Sequence, residues 1–346
     1  MGTGQRYPIL TSWRETHLSS LGWTSWHDRL HRHLLLQPQL LPDGLCLLLA
    51  VSGGQDSMAL LALLRGLAPL HGWTLSVWHG DHRWHHGSTQ IATELSHWCH
   101  QRGLTIQVDQ AKPDHVRSED GARRWRYQHL EELARQAGAD VVTAHTASDR
   151  AETMLLQLAR GSDLAGLAAL PFVRSLSPDG PKLRRPLLHM QRSDTLQICQ
   201  DLSLPIWADP SNQSPIHARN RIRQEVLPVL EELYPGCSKR MSALSARVSQ
   251  VRDIQQELSN VALLNLATPA GLDRRRLGEL RQATRRLLLA HWLQRQGIQP
   301  LPADQLEQLS RKLDRGAAAG SADLAGGWQL SWHGSDLTLK RRATER

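Results

Sequence analysis

Ser52-Gly53-Gly54-Gln55-Asp56-Ser57 stands between two apolar segments of different period. Upstream, Leu45 to Val51 is short and almost wholly apolar, which predicts a strand buried on both faces of a parallel sheet. Downstream, Met58, Leu61 and Leu64, or Leu60, Leu63 and Leu67, recur at helical spacing. The glycines therefore fall where a buried strand turns into a helix. Such a junction leaves backbone N–H groups unpaired and aims the positive end of a helix at one point. Phosphate binds there without any side chain, and the two glycines let the backbone approach an anion closely. Asp56 holds the place of the Lys of a Walker loop, and the glycine spacing is not that of a dinucleotide fingerprint. A carboxylate inside a phosphate cradle needs a cation between the two charges. Asp56 thus predicts Mg²⁺ bridging it to a triphosphate. The bland alternative is an ordinary strand–helix turn with Asp56 or Ser57 as helix cap.

Strand and helix alternate outward from this stretch. Trp23 to Gln37 reads as an amphipathic helix and Pro42-Asp43-Gly44 as a turn. Trp73 to Trp78 reads as a second strand, ending in a His79-Gly80-Asp81-His82 loop. Ser88 to Gln101 is helical, Leu104 to Val108 extended. Ser118 caps a helix to about Ala137, ahead of Gly138. Val141 to Ala144 is a fourth strand, and Asp149 to Arg160 the next helix. This predicts an α/β fold, a doubly wound parallel sheet, with the loops after the strand ends converging on one crevice. After Leu170 the pattern changes. Ser177-Pro178-Asp179-Gly180-Pro181 suggests a hairpin or loop, Ser193 to Leu202 a short helix, and Asn220 to Leu233 a helix kinked at Pro228. Tyr234-Pro235-Gly236 is the expected boundary. The domains read as a loose extension over 1–22, a catalytic domain over 23–233 and a smaller, mainly helical one over 234–346. The last should hold helices over about Ser238 to Leu266, Asp273 to Gln296 and Ala303 to Asp314, then a terminal hairpin around Gly334.

Composition bounds the chemistry. The chain has 346 residues and a net charge of +8, which favours a polyanionic partner. Cys46, Cys99, Cys199 and Cys237 are scattered, with no CxxC pair. That predicts a reducing, cytoplasmic setting and neither a disulfide framework nor a zinc or iron–sulfur site. His79, His82, His85 and His86 lack helical ligand geometry, so no transition-metal site is expected. No apolar run reaches membrane-spanning length, and the N-terminus lacks a signal-peptide core.

Three further constellations carry charge. Asp149 and Glu152 share a helix face; they could hold a cation at a strand end, or form a purely structural capping box. Arg123 and Arg126 share a face beside Tyr127, either as a solvated basic face or as phosphate ligands. Arg219 and Arg223, four apart, present a fork to phosphate. Farther on, Arg274, Arg275, Arg276, Arg281, Arg285 and Arg286 crowd one expected helix. Arg281 and Arg285 there are candidates for RNA-backbone contact.

The residues Ser52 to Ser57 resemble the SGGxDS loop of the PP-loop ATP pyrophosphatases at every fixed position. That resemblance implies ATP cleaved between its α and β phosphates, with Ser52, Gly53, Gly54, Gln55, Asp56 and Ser57 as the nucleotide cradle. His145-Thr146-Ala147-Ser148-Asp149-Arg150-Ala151-Glu152-Thr153 resembles the GHTADDQAET motif of tRNA(Ile)-lysidine synthetases. Ala144 replaces its Gly and Ser148 its first Asp. Glu119 to Tyr127 resembles that family's E-x-x-A-R-x-x-R-Y pattern. Asp209-Pro210-Ser211-Asn212 with Arg219 to Arg223 resembles its DPSN…RNRIR segment. The His79-x-Asp81-His82 stretch is similar to its HVDHGLR, with Arg83 and Trp84 in place of Gly-Leu. The resemblance implies that ATP and Mg²⁺ adenylylate the C2 oxygen of the wobble cytidine in CAU-anticodon tRNA(Ile), and that L-lysine then displaces AMP. It implies catalytic roles for Asp56, Arg126, His145, Asp149 and Glu152. Arg126 would neutralise charge at the α-phosphate, and Asp149 would recognise lysine. No membrane partner is expected, and a homodimer stays open. Two rival readings are a PP-loop tRNA thiolase, which needs a cysteine at the crevice, and a non-enzymatic RNA-binding module, which leaves Asp56 unexplained.

Overall fold

The computed structural model describes residues 23–83, 87–112, 114, 118–207 and 218–341. The expected extension over 1–22, Trp84, His85 and His86, and Asp209 to Asn212 lie outside them. The chain divides into two compact units, Met1–Ser249 and Gln250–Arg346. The division falls inside one helix, Cys237–Leu266, downstream of the turn at Tyr234 to Gly236.

In the first unit, β1 (Cys46–Ala50), β2 (Thr74–Asp81), β3 (Thr105–Gln110), β4 (Asp140–Val142), β5 (Val173–Ser175) and β6 (Lys182–Arg184) form one sheet in the order β3-β2-β1-β4-β6-β5. The β1–β2, β1–β4, β2–β3 and β4–β6 pairs are parallel. The β5–β6 pair is antiparallel, the hairpin suggested by the Pro/Gly cluster. The apolar run of β1 is explained by its central position. Leu47 and Leu49 join one core, with Leu60, Leu61 and Leu64 of the helix Gln55–His71. Leu48 points to the opposite core, with Trp125, Leu130 and Val141. Alternate side chains thus serve both faces. Met58, Leu60, Leu61, Leu63, Leu64 and Leu67 have no exposed surface, and each such side chain contributes about 1.5–3 kcal/mol on burial. The helix Gln55–His71 is thereby anchored as a rigid element. The strand order reverses at β1, between β2 and β4, and the carboxyl ends of these strands open the crevice.

Local signals explain the element ends. Ser118 accepts from Gly121 N at 3.1 Å, and Gly138, at φ 60°, ends that helix. Two expectations are corrected. The predicted His79–His82 loop is mostly strand, because β2 runs on to Asp81 beside β3. The kink near Pro228 is a wider change. A helical turn over Ala218–Arg221 passes into a π-helical stretch, Ile222–Val226, before Leu227–Leu233. Pro228 has no N–H to give an ordinary α-helical ladder.

In the second unit, β7 (Ala267–Thr268), β8 (Gly271–Asp273), β9 (Gly320–Leu324), β10 (Trp328–His333) and β11 (Asp336–Arg341) form a sheet in the order β7-β8-β11-β10-β9. The expected terminal hairpin is its β10–β11 pair. Helices Arg274–Glu279, Gln282–Arg295 and Ala303–Lys312 accompany it, and Leu277, Leu289, Trp292, Leu330 and Leu337 share its core. The single helix expected over Asp273 to Gln296 is corrected to two. Leu280 and Arg281 are extended, with ψ 154° and 144°. The break follows Gly278, whose added Cβ would lie 2.8 Å from the Leu313 carbonyl oxygen.

Candidate active site

A cleft of about 390 Å³ opens at the carboxyl ends of β1, β2 and β4. Ser52, Gly54, Gln55, Asp56, Ser57, Arg126, His145, Asp149, Arg219 and Arg223 all line it. Residues far apart in the chain are thus brought together.

The glycine stretch forms the floor. Gly53 has φ 87°, and an added Cβ would meet the Trp207 ring at 3.3 Å. Glycine is required here both by conformation and by contact. The helix begins at Gln55, so its first N–H groups have no intrahelical acceptor and face the cleft. Ser57 Oγ donates to the Gly54 carbonyl at 2.9 Å, closing the turn. Asp56 enters the cleft with its side chain 18% exposed. Burial raises its pKa to about 6, against the opposing pull of Arg192, while Asp149 adds like-charge repulsion.

The wall is a four-residue charge cluster. Arg219 reaches Glu152 at 2.8 Å and Asp149 at 3.1 Å. Arg223 reaches Glu152 at 2.6 Å and Asp149 at 3.3 Å. Glu152 lies beneath the surface, its side chain 1% exposed. Asp149 Oδ2 accepts from Thr146 N at 2.8 Å and from Thr146 Oγ1 at 2.9 Å. The expected Asp149–Glu152 capping box is corrected: the helix starts at Ala147, so the box is Thr146–Asp149, with Asp149 in the third helical position, and the same carboxylate serves the cluster through its other oxygen. Burial alone would raise the Asp149 pKa, but Arg219 and Arg223, with the hydrogen bond from Thr146 N, hold it low. Burial and the nearby Arg185 push His145 down, so it is neutral at physiological pH. Its Nδ1 pairs with Thr143 Oγ1 at 2.9 Å.

On the β2 side, His79 Nδ1 donates to the Val51 carbonyl at 2.8 Å. Asp81 accepts from Arg83 N and Thr89 Oγ1 at 2.9 and 3.1 Å. The first bond ties the end of β2 to that of β1, and the others tie it to the helix Ser88–His100 and to Arg83. Among the described residues no group of three or more His, Cys, Asp or Glu is placed to hold a metal ion. Arg126 is exposed and hydrogen bonded to His82 Nε2 at 3.0 Å. Arg123 and Arg174 flank the Tyr127 ring at 5.2 and 5.3 Å.

Arg281 and Arg285 lie in the second unit. Arg281 is exposed. Arg285 is 3% exposed and paired with Asp314 at 2.9 Å, with a further bond to the Gly278 carbonyl at 3.2 Å. Its expected RNA contact is corrected: a buried guanidinium that holds its own fold together is not presented to a phosphate.

The profile of the PP-loop domain matches residues 30–230, and that of the TilS substrate binding domain matches residues 272–341. The tRNA(Ile)-lysidine synthase of Parasynechococcus marenigrum (strain WH8102) is 62% identical over 324 residues, 93% of this chain and 96% of that protein. The chain belongs to the tRNA(Ile)-lysidine synthase family. A second tRNA(Ile)-lysidine synthase, from Prochlorococcus marinus, is 40% identical over 92% of this chain and 96% of its own length. Among solved structures, the U34-tRNA thiolase NcsA from Methanococcus maripaludis shares the fold, with a TM-score of 0.56 at 17% identity over 71% of this chain and 86% of that one.

The cysteines separate this tRNA(Ile)-lysidine synthase family member from the thiolase reading. Among the described residues none lines the cleft. Cys99, Cys199 and Cys237 are buried, and burial pushes the Cys99 and Cys199 thiols up to about 11. Such thiols stay protonated and weakly nucleophilic at neutral pH. Sequence reasoning missed Arg192, Thr195 and Trp207 around the phosphate loop. No motif marks them. Their contacts run through the tertiary fold, and only the helix over Ser193 to Leu202 was legible. Among the described residues no helix is long and apolar enough to cross a membrane.

Proposed function

We propose that this chain performs its family's reaction: it ligates lysine to the wobble cytidine of CAU-anticodon tRNA(Ile), using ATP. The cytidine C2 oxygen attacks the α-phosphate and pyrophosphate leaves. The lysine ε-amine then attacks C2, loses a proton and expels AMP. The observation that carries this reading is the meeting of the glycine loop, Arg126 and the Asp149–Glu152–Arg219–Arg223 cluster in one cleft.

The first N–H groups of the Gln55–His71 helix cradle the triphosphate. Arg126, exposed at the cleft mouth, neutralises charge at the α-phosphate as pyrophosphate departs. Mg²⁺ fits the residues present, since it is commonly held by one or two carboxylates with substrate phosphates and water. Asp56 offers that carboxylate, and the ion would supply charge compensation for the leaving pyrophosphate. His145, neutral, can exchange hydrogen bonds with the nucleotide or the base without adding positive charge. Asp149 is the proposed partner of a lysine ammonium, which must share its Oδ1 with Arg219 and Arg223. Exposed Arg275 and Arg281 of the second unit are proposed tRNA-backbone contacts.

The deciding experiment incubates the protein with ATP, Mg²⁺, radiolabelled lysine and unmodified CAU-anticodon tRNA(Ile). Label in the RNA together with pyrophosphate release is expected. Pyrophosphate release that ignores lysine and leaves the RNA unlabelled would exclude the reading.

A further inference from the structure

The turn that opens the helix Arg192–Asp201 touches both halves of the cleft. Thr195, with no exposed surface, places Oγ1 against Asp56 Oδ1. The same hydroxyl lies 2.8 Å from the Arg192 carbonyl and accepts from Gln55 Nε2 at 3.1 Å. It has one proton to donate, and an ionised carboxylate outcompetes a neutral carbonyl for it. Arg192 NH1 lies 3.1 Å from Asp56 Oδ2, so each oxygen of Asp56 is held from this one turn. Gln55 Nε2 also donates to the Arg192 carbonyl at 2.7 Å. Opposite, Arg192 N donates to Ser148 Oγ at 3.2 Å, and the Met190 carbonyl accepts from Ala147 N at 2.7 Å. Ser148 is the position where the chain departs from its family's Asp. One turn thus joins the phosphate loop to the start of the helix carrying Asp149 and Glu152.

We propose that Arg192 and Thr195 are positioning residues for Asp56: they fix its carboxylate in the orientation that the nucleotide's metal requires. The physical need is local. Asp56 faces a site built for anions and feels the Asp149 carboxylate across the cleft. An unrestrained side chain would turn away from both. Thr195 supplies a directional bond from the protein interior, and Arg192 supplies the counter-charge. The proposal rests on the reading of this chain as an enzyme that cleaves ATP at this loop.

The test uses the full chain as wild type, Thr195→Val, Thr195→Ser and Arg192→Gln. Valine keeps the shape of threonine and loses the hydroxyl; serine keeps the hydroxyl. Calorimetry reads binding of a non-hydrolysable ATP analogue over a Mg²⁺ titration, and a second assay reads tRNA-dependent pyrophosphate release and lysine KM. Thr195→Val is expected to raise the Mg²⁺ concentration for half-maximal analogue binding about tenfold, the scale of one charge-assisted hydrogen bond. Thr195→Ser should stay within about twofold of wild type. Arg192→Gln should lower kcat for pyrophosphate release at least about tenfold with lysine KM unchanged. Indistinguishable Mg²⁺ titrations for the valine and serine variants would overturn the role of Thr195. A wild-type kcat in Arg192→Gln would overturn that of Arg192, and this variant still decides should the valine protein fail to fold. Failure of the wild type itself to release pyrophosphate would count against the enzymatic reading, while the calorimetric arm would still report on the brace.

Discussion

Asp56 is costly to keep. Burial raises its pKa from 3.8 to about 6, which corresponds to about 3 kcal/mol at 1.36 kcal/mol per pH unit. Between pH 3.8 and 6 the folded state keeps a proton that the unfolded state has released. This group's contribution to stability therefore falls as pH rises through that window, and the full cost is present above it. Asp56→Asn should stabilise the ligand-free protein at pH 8 by up to about 3 kcal/mol in denaturant unfolding, yet abolish Mg²⁺-dependent pyrophosphate release. The shift is already net of the opposing pull of Arg192 and Thr195, so an unchanged or lower stability would show that Asp56 carries no burial cost. Asp149 poses a different question, because it accepts from the Thr146 cap and also pairs with two arginines. An Asn side-chain oxygen can still accept from Thr146 N without the charge, so Asp149→Asn separates the roles. If the charge recognises lysine, lysine KM should rise about 10–100-fold while adenylylation of the tRNA survives. The figure is below the about 3–5 kcal/mol of a fully broken buried pair, because an incoming ammonium exchanges with arginine rather than filling an empty site. Parallel loss of both half-reactions would assign Asp149 to holding Arg219 and Arg223.

The arginine-rich stretch after Leu272 shows how a face read from periodicity is rearranged by one break in a helix. An uninterrupted helix stacks Arg281 on Arg285. With the chain extended at Leu280 and Arg281, Arg285 turns inward to Asp314, and Arg281 remains exposed. Arg274 reaches the Ala317 and Ala318 carbonyls, and Arg286 pairs with Glu307 at 3.1 Å. Substituting Arg285→Ala should then destabilise the second unit by about 2 kcal/mol, the range of a hydrogen bond to a charged group. Arg275→Glu with Arg281→Glu should leave stability unchanged. That pair should weaken tRNA binding and flatten the slope of log K against log salt by about 1.4–1.8. An unaltered salt slope would remove this face from the interface. Elements dictated by local chemistry were legible: the buried run of β1, the glycine turn, the Ser118 and Gly138 helix ends. What was not legible depends on partners distant in sequence. β2 runs past Trp78 because β3 offers partners as far as Gln110. Likewise, the brace on Asp56 exists only because the helix Arg192–Asp201 packs against the helix Gln55–His71.

At the scale of the whole chain, two units each own a core. The first centres on Leu49, Leu60 and Leu64, with a second cluster around Trp125 and Val141; the other centres on Leu289, Leu330 and Leu337. Units with separate cores are expected to unfold in separate steps, so a single unfolding free energy is not defined for such a chain. Calorimetry should resolve two transitions, and their assignment can be made chemically. The nucleotide site lies wholly within the first unit. Mg²⁺ with a non-hydrolysable ATP analogue at about a hundred times its Kd should stabilise that unit by about 2.7 kcal/mol and leave the other transition in place. Gly271→Ala should act in reverse. Gly271 has φ 153°, and an added Cβ would lie 2.2 Å from the Leu337 carbonyl oxygen. Backbone cannot yield there without parting β8 from β11. The substitution should lower the second transition, or remove it, while analogue binding stays within about twofold of wild type, since uncoupled distant sites do not share binding energy. Should Gly271→Ala lower both transitions together, or weaken the analogue substantially, the two cores would be one cooperative system. The two units would then be linked through stability despite their separate cores.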